Sequence, residues 1–126
     1  MTNPLLKVVT ATLLYSVALA AQANAMIPPE QAIRHVGKDG MVCGLVERVR
    51  YAESTEGKPT YLHMGGAFPR HTFSARIPGS ARDSFSVELA SLQGKTVCVL
   101  GKIEREATRA EILVTSPAAI KLAQIK

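Results

Sequence analysis

Arginines and a few aromatic rings recur through the middle of this sequence at spacings that strands could bring together. Arg48, Arg50 and Tyr51 close one apolar run, and Tyr61 and His63 alternate through the next. Phe68 and Arg70 flank a proline, and Arg76 falls near the end of a third run. Lys102, Arg105 and Arg109 extend the basic pattern downstream. Guanidinium groups pair with anionic oxygens through several N–H donors, and flat rings stack on flat ligands. Interleaved on one surface, they would make a groove for an anionic chain bearing planar groups. The same residues would serve equally as a charged, solvated sheet face. The chain has three Tyr, three Phe and no Trp. Phe73 and Phe85 read as core, so few rings remain for stacking.

Other chemistries find no footing in the residue pattern. His35, His63 and His71 fall on a helix, a strand and a loop edge with no i, i+4 pair, which is not metal-site spacing. No G-x-S-x-G turn surrounds any serine. Asp39 and Asp83 read as turn and cap residues. The expectation is a protein that binds rather than catalyses, with no cofactor and no metal.

A leader precedes the elements that must position these groups. Lys7 comes before an apolar stretch, 8–21, and Gln22-Ala23-Asn24-Ala25 ends in an A-x-A pattern. Residues 1–25 therefore read as a signal peptide cleaved after Ala25. Its apolar core is shorter than the roughly 20 residues a spanning helix needs. Residues 26–126 are expected to form one domain, periplasmic or secreted, with no transmembrane anchor after cleavage. The formal charge is +5, one less without Lys7. That mild basic bias permits nucleic acid, anionic lipid or acidic glycans as partners and demands none. Cys43 and Cys98 both lie in the exported part, and an even pair in an oxidising compartment reads as one disulfide.

Within the domain, Pro28-Pro29 followed by Ala32, Ile33 and Val36 predicts a short helix of about two turns over 27–36. Residues 41–51 read as a long strand in which Gly44 marks a bulge or bend. The segment 60–64 alternates Leu62 and Met64 against Tyr61 and His63. The segment 71–77 alternates Phe73, Ala75 and Ile77 against Thr72, Ser74 and Arg76. Period two predicts two half-buried strands. The connection between them, Gly65-Gly66-Ala67-Phe68-Pro69-Arg70, is too long for a two-residue hairpin. It holds two residues that tolerate positive φ and one of fixed φ, so it should be an ordered, shaped loop. A short helix within 80–93 follows, with Ser80 and Asp83 as caps and Gly94 as stop. Strands over 95–104 and 111–115 come next, joined by a turn without glycine. A tail over 118–125 reads as amphipathic and could add a last helical turn.

The order strand, strand, strand, helix, strand, strand fits an all-β, five-stranded Greek-key barrel, the OB-fold, with a short helix between strands three and four and a short N-terminal helix. Gly44 and Gly101 occupy matching places in strands one and four, where small barrels bend. The core is expected from Leu62, Met64, Phe73, Ile77, Val97, Val99, Ile112 and Val114. Strands one and four are antiparallel neighbours in such a barrel, so Cys43 and Cys98 can face each other within disulfide reach.

The segments VCGLVERVRY at 42–51, TYLHMGGAFPRHTFSARI at 60–77 and GKTVCVLGKIE at 94–104 resemble a family of small exported bacterial OB-fold domains of the nucleic-acid-binding-like kind. That family's pattern carries Asn where this chain has Arg70, an Asn-like position at His63, and a Gly in the last hairpin where this chain has Ala107-Thr108. In OB-folds, ligands lie across strands two and three between the first and last hairpin loops. Candidate ligand-binding residues are accordingly Arg48, Arg50, Tyr51, Tyr61, His63, Phe68, Arg70, Arg76, Lys102 and Arg105. Two partner readings stay open: single-stranded nucleic acid or another anionic polymer, and a periplasmic protein met by a docking or envelope-stress module. Export favours the second, because nucleic acid is scarce in a periplasm.

Overall fold

The computed structural model describes residues 25–123. The leader reading, Ala25 apart, and the end of the expected tail lie outside the described residues. Among the described residues there are seven strands: β1 (Met26–Ile27), β2 (Asp39–Tyr51), β3 (Thr60–Met64), β4 (Phe73–Ile77), β5 (Thr96–Glu106), β6 (Arg109–Leu113) and β7 (Ile120–Leu122). β2 pairs antiparallel with β5 over residues 39–45 and with β3 over residues 46–51. β3 pairs antiparallel with β4, β4 parallel with β6, and β6 antiparallel with β5. The circuit β2-β3-β4-β6-β5-β2 closes, and the edges it leaves along the first part of β2 and of β5 are taken by β1 and β7. This is the five-stranded OB-fold barrel that the strand order implies.

Period-two patterning places the core as expected. Leu62, Met64, Phe73, Ile77, Val97, Val99, Ile112 and Val114 are all fully buried, joined by Val42, Val46, Ala75 and Ile103. Cys43 and Cys98 are directly opposed across β2 and β5 and are joined in a disulfide, with Cα atoms 4.0 Å apart.

Several local expectations are corrected. β1 and β7 are additional strands: β1 lies parallel to β2, and β7 runs antiparallel to β5. The tail is thus a 3-10 turn at Pro117–Ala119 followed by a strand, because Ser116 caps the turn through Ala118 N–H and Ile120 then pairs with Val99. The N-terminal helix is a 3-10 helix, Pro29–His35, entered from β1. It buries Ala32 and packs against β2, β4, β5 and β6 across one mouth of the barrel. The helix within 80–93 divides into one α-turn, Gly79–Arg82, and a 3-10 turn, Leu89–Leu92, that buries Leu89 and Leu92. Pro78 precedes the α-turn without a side-chain cap, and Asp83 closes it rather than opening it.

Gly44 is not a bulge. It pairs regularly with Val97, and a Cβ there would meet the Pro29 ring at 2.5 Å, so the bare backbone is what lets the 3-10 helix close down on β2. The register shift lies further on, between Val46 and Arg48. The last hairpin turns on Ala107 at φ 56°. An L-residue there is strained by about 1–2 kcal/mol, partly offset because glycine loses more entropy on folding. Ala107→Gly should therefore raise stability by about 0.5–1 kcal/mol in urea unfolding; a lower midpoint would contradict the turn geometry.

Candidate functional site

The shift in β2 builds the site. Val46 pairs with Met64 inside the barrel, and then Arg48 rather than Glu47 pairs with His63. One extra residue reverses the facing of everything after it. Arg48 and Arg50 consequently point outward and Val49 turns inward beside Leu62. The Val49 N–H bonds to the Gln93 Oε1 at 2.8 Å. Two outward rungs result. One runs Arg50, Tyr61, Arg76, and the next runs Arg48, His63, Ser74, Glu111 across β2, β3, β4 and β6.

The connection 65–72 folds over the second rung. Gly65 and Gly66 hold φ of 72° and 120°, and the Phe68–Pro69 bond is cis. A Cβ on Gly65 would fall 1.9 Å from the Thr72 hydroxyl, which instead donates to the Gly65 carbonyl. Arg109 reaches from β6 to donate to the carbonyls of His71, at 2.9 Å, and Pro69. So pinned, the loop lays Phe68 over His63 with ring centres 5.2 Å apart, while His71 lies 3.8 Å from His63. The Arg50 guanidinium sits over both Tyr61, at 4.8 Å, and Phe68, at 4.7 Å, and Arg48 lies 5.5 Å from the Phe68 ring. Such contacts are worth about 0.5–1 kcal/mol each when exposed, and more when desolvated.

Beneath this layer His63 is almost wholly buried although it faces away from the core. Arg50 Nε donates to its Nε2 at 3.2 Å. The ring proton therefore belongs on Nδ1, which lies 2.8 Å from the Ser74 hydroxyl. Burial first, then His71, Arg50, Arg109 and Arg48, lower its pKa from 6.5 to about 3. Burial, Arg109 and Arg50 lower that of His71 to about 4. Both rings are neutral in the folded protein. On acidification the unfolded chain takes up these protons first, so their contribution is complete above pH 6.5 and is lost as pH falls toward the folded values. Between pH 7 and 5 the unfolding free energy should drop by about 2 kcal/mol for His63, with His71 acting in the same sense. Glu111, whose carboxyl is raised by burial against the pull of Arg76, offsets part of this. Urea midpoints at the two pH values check it; an unchanged midpoint would mean that the histidines are solvated.

Arg50, Tyr61, His63, Phe68 and Arg76 line a cleft of about 430 Å³, with His71, Ser74, Glu106, Arg109 and Glu111. Of the expected site residues, those five converge there and Arg48 joins through Phe68. Arg70, Lys102 and Arg105 are exposed and do not line it. Tyr51 belongs elsewhere: it follows the outward rung, pairs with Thr60, and carries Arg82 4.1 Å above its ring, while Arg82 also donates to Thr60. The sequence reading missed His71, Ser74, Glu106 and Glu111. Ser74 and Glu111 alternate with core residues in the same way as Arg76, so period two alone could have found them.

Fold and site together define an OB-fold barrel whose outer sheet face carries a ring-lined cleft with arginines and carboxylates. Among solved structures, the chain is similar to an aspartyl tRNA synthetase from Entamoeba histolytica, with a TM-score of 0.49 and 16% identity over 92% of this chain and 25% of that one. It is also similar to a putative aspartyl-tRNA synthetase from Leishmania major Friedlin, with a TM-score of 0.48 and 14% identity over 89% of this chain and 23% of that one. The chain thus spans about a quarter of the length of either structure. No family model matches it, and no curated protein matches it. No helix among the described residues is long and apolar enough to cross a membrane.

Proposed function

We propose that this protein is an exported binding module, without catalytic activity of its own, that takes single-stranded nucleic acid across the outer face of β3 and β4. One observation carries the reading: the Arg50 guanidinium, set over Tyr61 and Phe68 at the cleft that Arg76 also lines. That arrangement supplies a stacking platform and positive charge at a single place, which is what single-strand binding needs. The disulfide agrees with an oxidising compartment. A protein-docking role is favoured by a different feature, the Glu106 and Glu111 carboxylates in the cleft, which repel a bare polyanion.

Fluorescence anisotropy with a labelled single-stranded oligonucleotide tests the choice. Affinity should fall steeply with salt as phosphates release counterions. Tyr61→Ala should cost about 1–3 kcal/mol of binding if its ring stacks on a base. Arg50→Ala should reduce the salt slope by about one phosphate contact. Binding weaker than about 10⁻⁴ M at low salt, below ordinary non-specific affinity, would leave a protein partner as the surviving reading.

A further inference from the structure

Glu106 and Glu111 gain nothing from a phosphate backbone. Glu111 stands beside Ser74 on the second rung, diagonal to Arg76, and Glu106 pairs with Arg109 at the mouth of the last hairpin. Arg109 turns its Nε and one terminal nitrogen to the carbonyls of His71 and Pro69. A carboxylate in a ring-lined cleft has another use, which is to accept hydrogen bonds from the N–H groups on a base edge. His71 points the same way. It is only 5% exposed and lines the cleft, and its Nδ1 has no hydrogen-bond partner among the described residues. A buried polar atom left unpaired is costly until a partner arrives.

The choice among bases follows from their edges. Guanine offers a donor pair, N1–H and the N2 amino group, on one side and an acceptor pair, O6 and N7, on the other. Arginine suits the acceptor pair, and a carboxylate suits the donors. Thymine and uracil offer a carboxylate a single donor, N3–H, flanked by two carbonyl oxygens that repel it. A cleft of about 430 Å³ has room for one nucleotide rather than a run of them.

Resting on the nucleic-acid reading above, we propose that this cleft selects guanine within a single strand. The base stacks against Tyr61 and Phe68, Glu111 accepts from its N1–H and N2 amino group, and Arg76 donates to O6 and N7. The flanking phosphates fall to Arg50 and the open side of the sheet. The cleft is then a reading site for one base, and the rest of the face tracks the backbone.

The experiment uses four labelled thymidylate strands of about ten nucleotides, a length within the span of one OB-fold. They differ only in a central guanine, adenine, cytosine or thymine, and anisotropy is recorded at fixed low salt. The central-guanine strand should bind roughly ten-fold tighter than the all-thymine strand, as one good bidentate base contact allows. Glu111→Gln should bring that ratio below about two, because the amide turns a donor toward the guanine donors. Equal binding of all four strands by the native protein would overturn the guanine inference and leave the single-strand reading standing. A preference for thymine would overturn it equally. Failure of every strand to bind would remove both.

Discussion

Phe73→Ala should cost about 3–5 kcal/mol of stability, the range for removing a buried ring. Phe73 heads the fully buried side chains by size. It opens β4, the strand held between β3 and β6, and stands in one rung with Met64 and Ala110. Alanine on one side cannot expand into the vacancy. On the other side the Met64 side chain also packs toward Gly44. The cavity would therefore stay largely open, which puts the cost at the upper part of the range. Urea unfolding should show a lower midpoint with an unchanged m-value. A loss below about 1 kcal/mol would mean that β4 is displaced by one residue, with Phe73 on the outer face. That displacement would also put Ser74 and Arg76 inside the barrel and dissolve the cleft, so this core measurement bears on the site.

The barrel could be read from the chain because its strongest signals are local and periodic. Alternation in 60–64 and 71–77 identifies two strands and their inward residues without any tertiary knowledge, and the fully buried Leu62, Met64, Phe73, Ala75 and Ile77 follow. Gly65, Gly66 and Pro69 announce a shaped loop for the same reason, since backbone geometry restricts residue type at each position. What resisted reading depends on partners distant in sequence. Gly44 looks like a bulge until Pro29 is found against it. Strand β7 is too short to show a period, and it exists because β5 offers it an edge. The N-terminal helix adopts 3-10 geometry where it covers the barrel mouth.

The site divides in the same way. Arg50, Tyr61 and Arg76 come together because strand register puts them in one rung, and register follows from alternation once the bulge is known. The bulge itself leaves no mark in VERVR, where one residue more or less changes no composition. His63 is the clearest case. Its position predicts an outward, solvated ring, yet Phe68 and His71 cover it from a loop anchored by Arg109, a residue 38 positions beyond His71. Arg109 was expected among the cations of the binding groove; it lines the cleft and also holds the loop. Arg70 and Lys102 look equivalent to Arg76 in the sequence, and only the closed barrel separates them.

Replacing both cysteines by alanine should cost about 2–4 kcal/mol, the usual range for a native disulfide. The bridge joins residues 55 apart, for which chain entropy alone allows about 4 kcal/mol. It sits inside a continuous ladder in which Asp39 to Leu45 pair with Lys102 to Thr96. The strands on either side hold that register without it, so the bridge acts mainly on the unfolded chain. The double variant should keep the fold and the cleft while melting earlier, by about 4–8 °C for each kcal/mol in a domain of this size. Reductant should lower the melting point of the native protein by a similar amount and leave that of the double variant unchanged. Equal melting points before and after reduction, or two thiols open to alkylation in protein taken from an oxidising compartment, would exclude the stabilising role. Oligonucleotide binding by the double variant, measured well below its melting point, should match the native protein, because the Cys43–Cys98 pair lies where β2 and β5 pair with each other, whereas the cleft residues come from the far ends of β2 and β5, from β3, β4 and β6, and from the adjoining loops.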